Sequence, residues 1–273
     1  MFRCDYHLHT DHSADCSTPM EAQIRQAIQI GMDELCFTDH LELGFRKWNY
    51  EEIDIDAYYQ DYQMSCKKYP EITLKFGIEA GITCSEEHFQ RLDGFLNSHP
   101  FDFIIVSAHA MQEEDALDPK FFQGRNFSEA CRVYIEALYQ RLVRMNPALY
   151  NCVGHIDFPV KGLLRMGASQ AELKYEYAPE AMDALFRYLI KKEKCLEINT
   201  SPMALMQPED IRHNNWLKRY AELGGEVVTI GSDSHRPELI GAHYDVALEI
   251  AADSGIRYVA TFQNKKPIYH RIR

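Results

Sequence analysis

Short apolar runs alternate with longer amphipathic segments along the whole chain. Each run is about as long as a buried strand, whereas apolar residues recur at helical spacing in the segments between the runs. The runs predict strands over 2–6, 34–38, 73–77, 103–107, 152–154, 195–199, 227–231 and 258–262. The intervening segments predict helices near 19–30, 54–69, 85–97, 128–145, 178–193, 208–223 and 237–253.

This alternation extends over all 273 residues, without a linker rich in Pro, Gly or Ser. It favours a parallel sheet whose strands are connected by helices. Seven or eight repeats of about 35 residues suit a closed barrel better than an open sheet. We therefore predict an α/β fold in which residues 1–273 form a single domain, a (β/α) barrel for which seven strands are the favoured number.

The first predicted helix carries capping signals at both ends. Thr18 can serve as the N-cap, with Pro19 in the first turn and Glu21 completing a Thr-x-x-Glu capping box. Gly31 can end the helix, because glycine readily adopts the left-handed conformation found there. These signals predict a helix that begins directly after Thr18.

An imidazole or a carboxylate follows the carboxyl end of six predicted strands, and six of the twelve histidines occupy these positions. The segments concerned are His7-Leu8-His9, Asp39-His40, Ile78-Glu79, Ala108-His109, His155-Ile156-Asp157 and Ser232-Asp233-Ser234-His235. Because all strands of a parallel barrel point their carboxyl ends to one rim, these side chains are expected to converge there.

The residue types and their spacing suit a metal centre. Residues i and i+2 of an extended segment point the same way, so His7 and His9 can hold one ion, as can Asp233 and His235. Glu79 can bridge two ions, because a carboxylate offers two oxygens. Neutral imidazoles with a few carboxylates suit zinc, manganese or iron. A lone His-x-His pair is more often structural, but imidazoles or carboxylates at six strand ends together favour metal binding over core packing.

Charge and hydropathy exclude several other classes. The 29 basic and 41 acidic residues give a net charge of −12, which argues against a nucleic-acid-binding surface. No apolar run approaches the roughly 18 residues of a membrane span, and the first residues are too polar for a signal peptide. The eight cysteines form no Cys-x-x-Cys pair, which favours reduced thiols. We therefore expect a cytoplasmic protein that binds neither nucleic acid nor membrane.

The strand-end residues match, in order, the motifs of a known family. The chain resembles the polymerase-and-histidinol-phosphatase (PHP) superfamily from residue 7 to residue 235. Each motif alone is weak evidence, whereas the ordered set is highly specific. The resemblance implies a distorted (β/α)7 TIM-like barrel of the PHP type. The matching motifs are His7-Leu8-His9-Thr10, Thr38-Asp39-His40, Gly77-Ile78-Glu79, Ser107-Ala108-His109, Gly154-His155-Ile156-Asp157 and Gly231-Ser232-Asp233-Ser234-His235.

The same resemblance implies three divalent metal ions per chain, which are zinc, manganese or iron. In the loop 10–17, Asp11 and His12 compete with Asp15 for the role of ligand. The family pattern assigns His7, His9, Glu79 and Asp233 to the first ion, Asp15, His40 and His235 to the second, and Glu79, His109 and His155 to the third.

Within the superfamily the chain is similar to the stand-alone histidinol-phosphate phosphatases of histidine biosynthesis. This similarity implies hydrolysis of L-histidinol phosphate to L-histidinol and inorganic phosphate, by attack of a metal-activated hydroxide on phosphorus. Asp233 and His235 are candidate proton carriers as well as ligands. Because a metal-bound group is a poorer acid, another side chain or water is the alternative proton donor.

Four residues are candidates for substrate binding. Arg165 is the first choice for binding the phosphate, through its planar bidentate guanidinium, and Lys161 is the reserve. For either cation, the alternative is a solvated loop charge. Asn199 and Ser201 follow the strand 195–199 and reach the same rim. The segment 44–50, which combines aromatic and basic residues, is interpreted either as a lid over the imidazole of the substrate or as a packed connection.

Three other functions compete with this interpretation. A phosphoesterase of the same superfamily would act on nucleotide or sugar phosphates. A metal-dependent amidohydrolase would also begin with His-x-His, but its metal-bridging lysine has no counterpart at a strand end here. A non-catalytic metal-binding regulator is less favoured because the ligand set is complete. The sequence leaves the oligomeric state open.

Overall fold

The structure, a computed structural model, describes residues 2–43, 53–111, 114–207 and 215–272. Strands and helices alternate through these ranges. The strands are β1 (Cys4–Leu8), β2 (Glu34–Phe37), β3 (His40–Leu41), β4 (Thr73–Gly81), β5 (Phe103–Ser107), β6 (Ala110–Met111), β7 (Glu114–Asp115), β8 (Cys152–Val153), β9 (Cys195–Asn199), β10 (Val227–Gly231), β11 (Tyr258–Gln263) and β12 (Lys266–Arg271). The helices are α1 (Met20–Ile30), α2 (Ile55–Lys68), α3 (Glu86–Ser98), α4 (Pro119–Phe122), α5 (Phe127–Leu142), α6 (Phe158–Arg165), α7 (Pro179–Lys191), α8 (Asn215–Glu222) and α9 (Tyr244–Asp253). In the ranges that the structure describes, no helix combines the length and the apolar character of a membrane span.

Seven parallel strands form the centre of the fold. They pair side by side in the order β1, β2, β4, β5, β8, β9 and β10. The short β3 also pairs with β4, while β11 extends the sheet beyond β10 and β12 runs antiparallel to β11. The predicted α/β class with a mostly parallel sheet is therefore confirmed.

Backbone hydrogen bonds connect the two ends of this row of seven strands at their carboxyl side. The N–H of Asp233, just after β10, donates to the carbonyl of His7 in β1 (2.6 Å). The N–H of His9 donates to the carbonyl of Ser234 (2.8 Å). The first and seventh strands thus lie next to each other, as a seven-stranded barrel requires at its rim.

The central parallel strands of the sheet are buried on both faces. Every residue of β1, β5 and β9 is buried, so side chains that alternate between the faces all contact packed neighbours. The rings of Tyr6 and Phe103 lie 5.1 Å apart, and those of Phe103 and Phe262 lie 5.0 Å apart. Because β1, β5 and β11 are not neighbours in the sheet, these ring contacts join distant strands in one packed core.

The start of α1 differs from the prediction. Its N-cap residue is Pro19, without a side-chain capping hydrogen bond. The hydroxyl of Thr18 instead donates to the carbonyl of His235 (2.7 Å), which ties the loop before α1 to the loop after β10. The predicted capping box at Thr18 is therefore wrong, because a tertiary partner takes its hydroxyl. The predicted end of the helix is confirmed, since Gly31 has a φ of 75°.

Two further elements differ from the sequence pattern. The segment 158–165, which lies outside every predicted helix, forms α6. Gly162 fits because a Cβ there would lie 3.0 Å from the carbonyl oxygen of Ala116. The predicted helix 237–253 is a 3-10 turn followed by α9, because Gly241 and His243 adopt left-handed φ angles of 59° and 57°.

The cysteines are free thiols, as the spacing predicted. All eight lack a disulfide partner, and four of them are buried within strands. Burial raises the pKa of the Cys4 and Cys152 thiols, so both stay protonated and behave as small apolar side chains.

Candidate functional site

Nine of the sequence-predicted ligands lie together at the carboxyl ends of the strands. The ring centroids of His9 and His40 are 4.2 Å apart, those of His9 and His235 are 4.3 Å apart, and those of His109 and His155 are 5.2 Å apart. These histidines lie up to 226 positions apart in sequence, and the parallel strand order brings them to one rim. The complete set is His7, His9, Asp15, His40, Glu79, His109, His155, Asp233 and His235.

The carboxylate of Glu79 lies at the centre of this cluster. It projects from β4 and is fully buried. Its Oε1 lies 2.9 Å from Nε2 of His155 and 3.1 Å from Nε2 of His109. Its Oε2 lies 2.8 Å from Nδ1 of His40 and 3.3 Å from Nε2 of His7. Each oxygen therefore faces a different set of imidazoles, which is the arrangement expected of a bridging carboxylate.

Asp233 forms a second centre, immediately after β10. Its Oδ1 lies 3.4 Å from Nε2 of His9 and 3.7 Å from Nδ1 of His235. Its Oδ2 accepts hydrogen bonds from Lys161 Nζ (2.5 Å) and from the Ser201 hydroxyl (3.2 Å). The backbone of Asp233 has a left-handed φ of 52°, a conformation that costs free energy for a non-glycine residue and is concentrated at functional sites.

Asp15 is the residue of the first loop that reaches the cluster. Its Oδ2 lies 3.1 Å from Nε2 of His235 and 3.5 Å from Nε2 of His40. Its rival His12 instead faces Asp61 on α2, with Nε2 and Oδ2 3.3 Å apart. The other rival, Asp11, is exposed and groups with that pair. Of the three candidates in this loop, Asp15 alone contacts the cluster.

A buried carboxylate, Asp39, holds the loop that carries Asp15. It accepts hydrogen bonds from the backbone N–H of Thr10 (2.6 Å), the Thr10 hydroxyl (2.9 Å) and the Ser13 hydroxyl (2.7 Å). The Ser13 hydroxyl in turn accepts from the backbone N–H of His40 (2.9 Å). The loop and the neighbouring strand end are thereby fixed relative to each other.

The unpaired atoms of the cluster fit metal ions. Nε2 of His7, Nε2 of His9 and Oε2 of Glu79 are buried and make no hydrogen bond to any residue that the structure describes. Buried polar atoms are normally satisfied, so three that point into one cluster call for an additional partner. Imidazole nitrogens with carboxylate oxygens form the donor set that zinc, manganese and iron accept. The sets that can reach one ion include His7–His9–Asp233, His7–Glu79–His155 and His9–His40–His235.

The electrostatics favour ionised carboxylates and a neutral His9, whereas nearby carboxylates outweigh burial and raise the pKa of His7, His40 and His109. Burial disfavours the charged carboxylate of Glu79, yet His7 and His109 hold its pKa well below the usual value. Burial acts on Asp233 in the same way and is outweighed by Lys161, so its pKa is also well below the usual value. Burial and the charges of nearby imidazoles hold the pKa of His9 well below its usual value. The carboxylates are therefore ionised and His9 is neutral near pH 7.

Two carboxylates behind the cluster escaped the sequence analysis as functional residues. Oε1 of Glu197 in β9 lies 2.6 Å from Nδ1 of His7, and Oε1 of Glu42 lies 2.6 Å from Nδ1 of His109. Glu197 interrupts the apolar run 195–199, and an acidic residue within a fully buried strand is the signal that could have revealed it. Glu42 lies two residues after His40, in a segment that shows no comparable pattern.

The structure separates the two cations proposed for phosphate. Lys161 is buried on α6 and points at Asp233, as described above. Arg165, at the end of the same helix, is exposed and makes no hydrogen bond or ion pair with the residues that the structure describes. The structure thus places Lys161, the reserve, beside the cluster, and it places Arg165, the first choice, at the surface. The sequence pattern could not rank them, because it gave no indication of α6.

The remaining substrate candidates lie in the loop after β9. The hydroxyl of Ser201 faces Asp233. The side chain of Asn199 instead makes its hydrogen bonds to neighbouring residues of the chain. Its Nδ2 donates to Glu197 (3.2 Å) and its Oδ1 accepts from the backbone N–H of Ser201 (2.9 Å). The candidate lid at 44–50 lies outside the described residues.

Comparison with known proteins identifies a family whose members resemble this chain. A family model described as the PHP domain matches residues 5–201. A histidinol-phosphatase of Lactococcus lactis subsp. lactis is 29% identical over 269 residues, which is 97% of this chain and 96% of that protein. Similarity therefore covers nearly the full length of both chains.

Solved structures agree with the sequence comparison. The crystal structure of histidinol phosphate phosphatase from Lactococcus lactis, complexed with zinc, L-histidinol and phosphate, superposes with a TM-score of 0.86 at 27% identity and covers 97% of this chain and 98% of that one. A structure from Listeria monocytogenes superposes with a TM-score of 0.74 at 21% identity, covering 89% and 99% of the two chains. The second match supports the fold alone.

Proposed function

The chain belongs to the PHP domain family, and from this premise we propose that it is a metal-dependent phosphatase that hydrolyses L-histidinol phosphate to L-histidinol and inorganic phosphate. The observation that carries the proposal is the cluster of nine histidine and carboxylate side chains that has Glu79 at its centre. The similarity of the whole chain to a phosphatase bound to zinc, L-histidinol and phosphate supports the choice of substrate.

We assign three ions, of zinc, manganese or iron, to this cluster. When bound, they would lower the pKa of water toward about 7 and neutralise charge on the phosphoryl oxygens. The contacts of Glu79 with imidazoles at both oxygens support its assignment to two of these ions. The proposed ligand sets are His7, His9, Glu79 and Asp233 for the first ion, Asp15, His40 and His235 for the second, and Glu79, His109 and His155 for the third.

The chain's own residues would bind the phosphate and carry protons. Lys161 presents an ammonium group beside Asp233 and is the proposed phosphate-binding cation, assisted by the hydroxyl of Ser201. Arg165 follows one helical turn later on the same face of α6, which suits contact with the outer part of the substrate. Asp233 and His235 remain the proposed proton carriers. The His235 side chain is 26% exposed against 5% for Asp233, so His235 exchanges protons with solvent more readily.

Release of inorganic phosphate from a panel of substrates tests this proposal. With zinc or manganese present, we expect kcat/KM for L-histidinol phosphate to exceed that for a nucleotide monophosphate or a sugar phosphate by about 100-fold or more. A preference for a nucleotide or sugar phosphate would assign the protein to another phosphoesterase of the family. Tight metal binding without turnover of any phosphate monoester would favour a non-catalytic regulator.

A further inference from the structure

Glu197 connects two parts of the histidine cluster from behind. Its side chain lies in the middle of β9 and is fully buried. Its Oε1 lies 2.6 Å from Nδ1 of His7. Its Oε2 accepts the backbone N–H of His155 (2.7 Å) and Nδ2 of Asn199 (3.2 Å). One carboxylate thus contacts the side chain of one candidate ligand and the backbone of another.

The contact with His7 fixes which ring nitrogen can bind a metal ion. An ionised carboxylate accepts hydrogen bonds only, so Nδ1 of His7 carries the proton that it shares with Glu197. In the neutral ring that a metal ion would require, Nε2 is then left with its lone pair, and it faces Glu79 Oε2 at 3.3 Å and Asp233 Oδ1 at 4.0 Å. Glu197 therefore selects the tautomer of His7 that points a free lone pair into the cluster.

The contact with His155 acts on a different part of the cluster. By accepting the backbone N–H, Glu197 anchors the strand end from which His155 places Nε2 at 2.9 Å from Glu79 Oε1. His7 and His155 belong to different proposed ligand sets. A carboxylate that holds both can keep the spacing between the two sets constant.

The neighbouring strand leaves space for this arrangement. At Gly231 in β10, a Cβ would overlap with Cβ of His7 and would lie 2.5 Å from Oε1 of Glu197. A glycine at this position therefore permits the close approach of the carboxylate to the imidazole. Glu42 has a similar glycine beside it, since a Cβ at Gly81 would overlap with its carboxylate.

We propose that Glu197 is a positioning residue that orients His7 and His155 together, and thereby couples the binding of two metal ions. This inference rests on the proposed metal centre. Glu42 offers the matched comparison, because it lies 2.6 Å from Nδ1 of His109 and 4.0 Å from Nδ1 of His40. Neither carboxylate touches the reacting atoms, since each contacts the far side of an imidazole ring.

The experiment compares the zinc-loaded full chain with its Glu197→Gln variant. We expect zinc affinity to fall by about 10- to 100-fold, and more than one ion per chain to be lost at equal free zinc. The Glu42→Gln variant should lose less zinc than Glu197→Gln. Glu193→Gln removes an exposed carboxylate just before β9 and should bind zinc like the unaltered chain. Circular dichroism establishes that each variant is folded.

A second readout separates positioning from structural support. ¹⁵N NMR of the imidazoles in the unaltered zinc-loaded chain should show His7 protonated at Nδ1, and this measurement stands even if a variant fails to fold. In the folded Glu197→Gln variant, the hydrogen bond between Nδ1 of His7 and the side chain at position 197 should become weaker. A His7 protonated at Nε2, or unchanged zinc binding by Glu197→Gln, would overturn the positioning role alone. Failure of the unaltered chain to bind zinc would instead overturn the proposed function.

Discussion

Replacing Glu79 with glutamine is expected to lower kcat/KM for L-histidinol phosphate by about 1000-fold. Glutamine keeps the size of the side chain but has no charge and only one acceptor oxygen. It cannot bridge two ions, which is the role proposed for Glu79 from the contacts of Oε1 with His109 and of Oε2 with His7. Steady-state kinetics at saturating zinc or manganese, together with the metal content per chain, measure the effect.

The control for this prediction is Glu87→Gln, which makes the same change at an exposed position of α3. It should retain both activity and metal content. Thermal unfolding of the two metal-free variants shows whether Glu79→Gln remains folded. A folded Glu79→Gln protein with near-normal activity would contradict the bridging role assigned to this carboxylate.

The second large effect is expected at Lys161. Replacing Lys161 with methionine removes the cation that pairs with Asp233 and the proposed contact with phosphate. Loss of one partner of a buried charge pair leaves the other partner uncompensated, so we expect kcat/KM to fall by about 100-fold. Inhibition by inorganic phosphate should weaken in parallel, because product and substrate present the same group.

Arg165→Met is the matched comparison for Lys161→Met. It removes an exposed cation from the same helix, so its effect should be only a few-fold and should appear mainly in KM. Kinetic constants for both variants with L-histidinol phosphate decide which of the two cations contributes more to phosphate binding. A larger loss in Arg165→Met than in Lys161→Met would return Arg165 to the position of main phosphate ligand.

The central part of the fold and the cluster followed from simple periodicity. Buried parallel strands appear as short apolar runs, and a polar residue directly after such a run lies at the carboxyl end of the sheet. This reasoning identified His7, Glu79 and Asp233, although they are far apart in sequence. It succeeds because parallel strands bring their carboxyl ends to one rim, and this holds even when the exact limits of each strand are not known.

Contacts that depend on a specific tertiary partner could not be predicted from the pattern of apolar and polar residues. Thr18 has the sequence of an N-cap, yet its hydroxyl binds the carbonyl of His235. The helix α6 contains Pro159 and Gly162, and it forms because Pro159 lies in the first turn and Gly162 fits against the backbone near Ala116. Since α6 sets the direction of Lys161, the rank of the two phosphate-binding candidates also required the structure.

The contacts of the carboxylates behind the cluster could not be predicted from the sequence either. Glu197 lies within an apolar strand, where composition alone indicates only that its charge must be compensated. The compensating partners, the ring of His7 and the backbone N–H of His155, come from β1 and from the residues after β8. Residues that act by orienting other side chains become visible only when those side chains are placed in space.

The most direct test of the metal centre is the location and number of ions in crystals grown with zinc. Diffraction data from both sides of the zinc absorption edge should give three anomalous peaks within the cluster, each at about 2.0–2.2 Å from its nitrogen and oxygen ligands. The peaks should lie beside Glu79, between His7 and Asp233, and between Asp15 and His235. A zinc-soaked crystal with no anomalous peak among these residues would contradict the account.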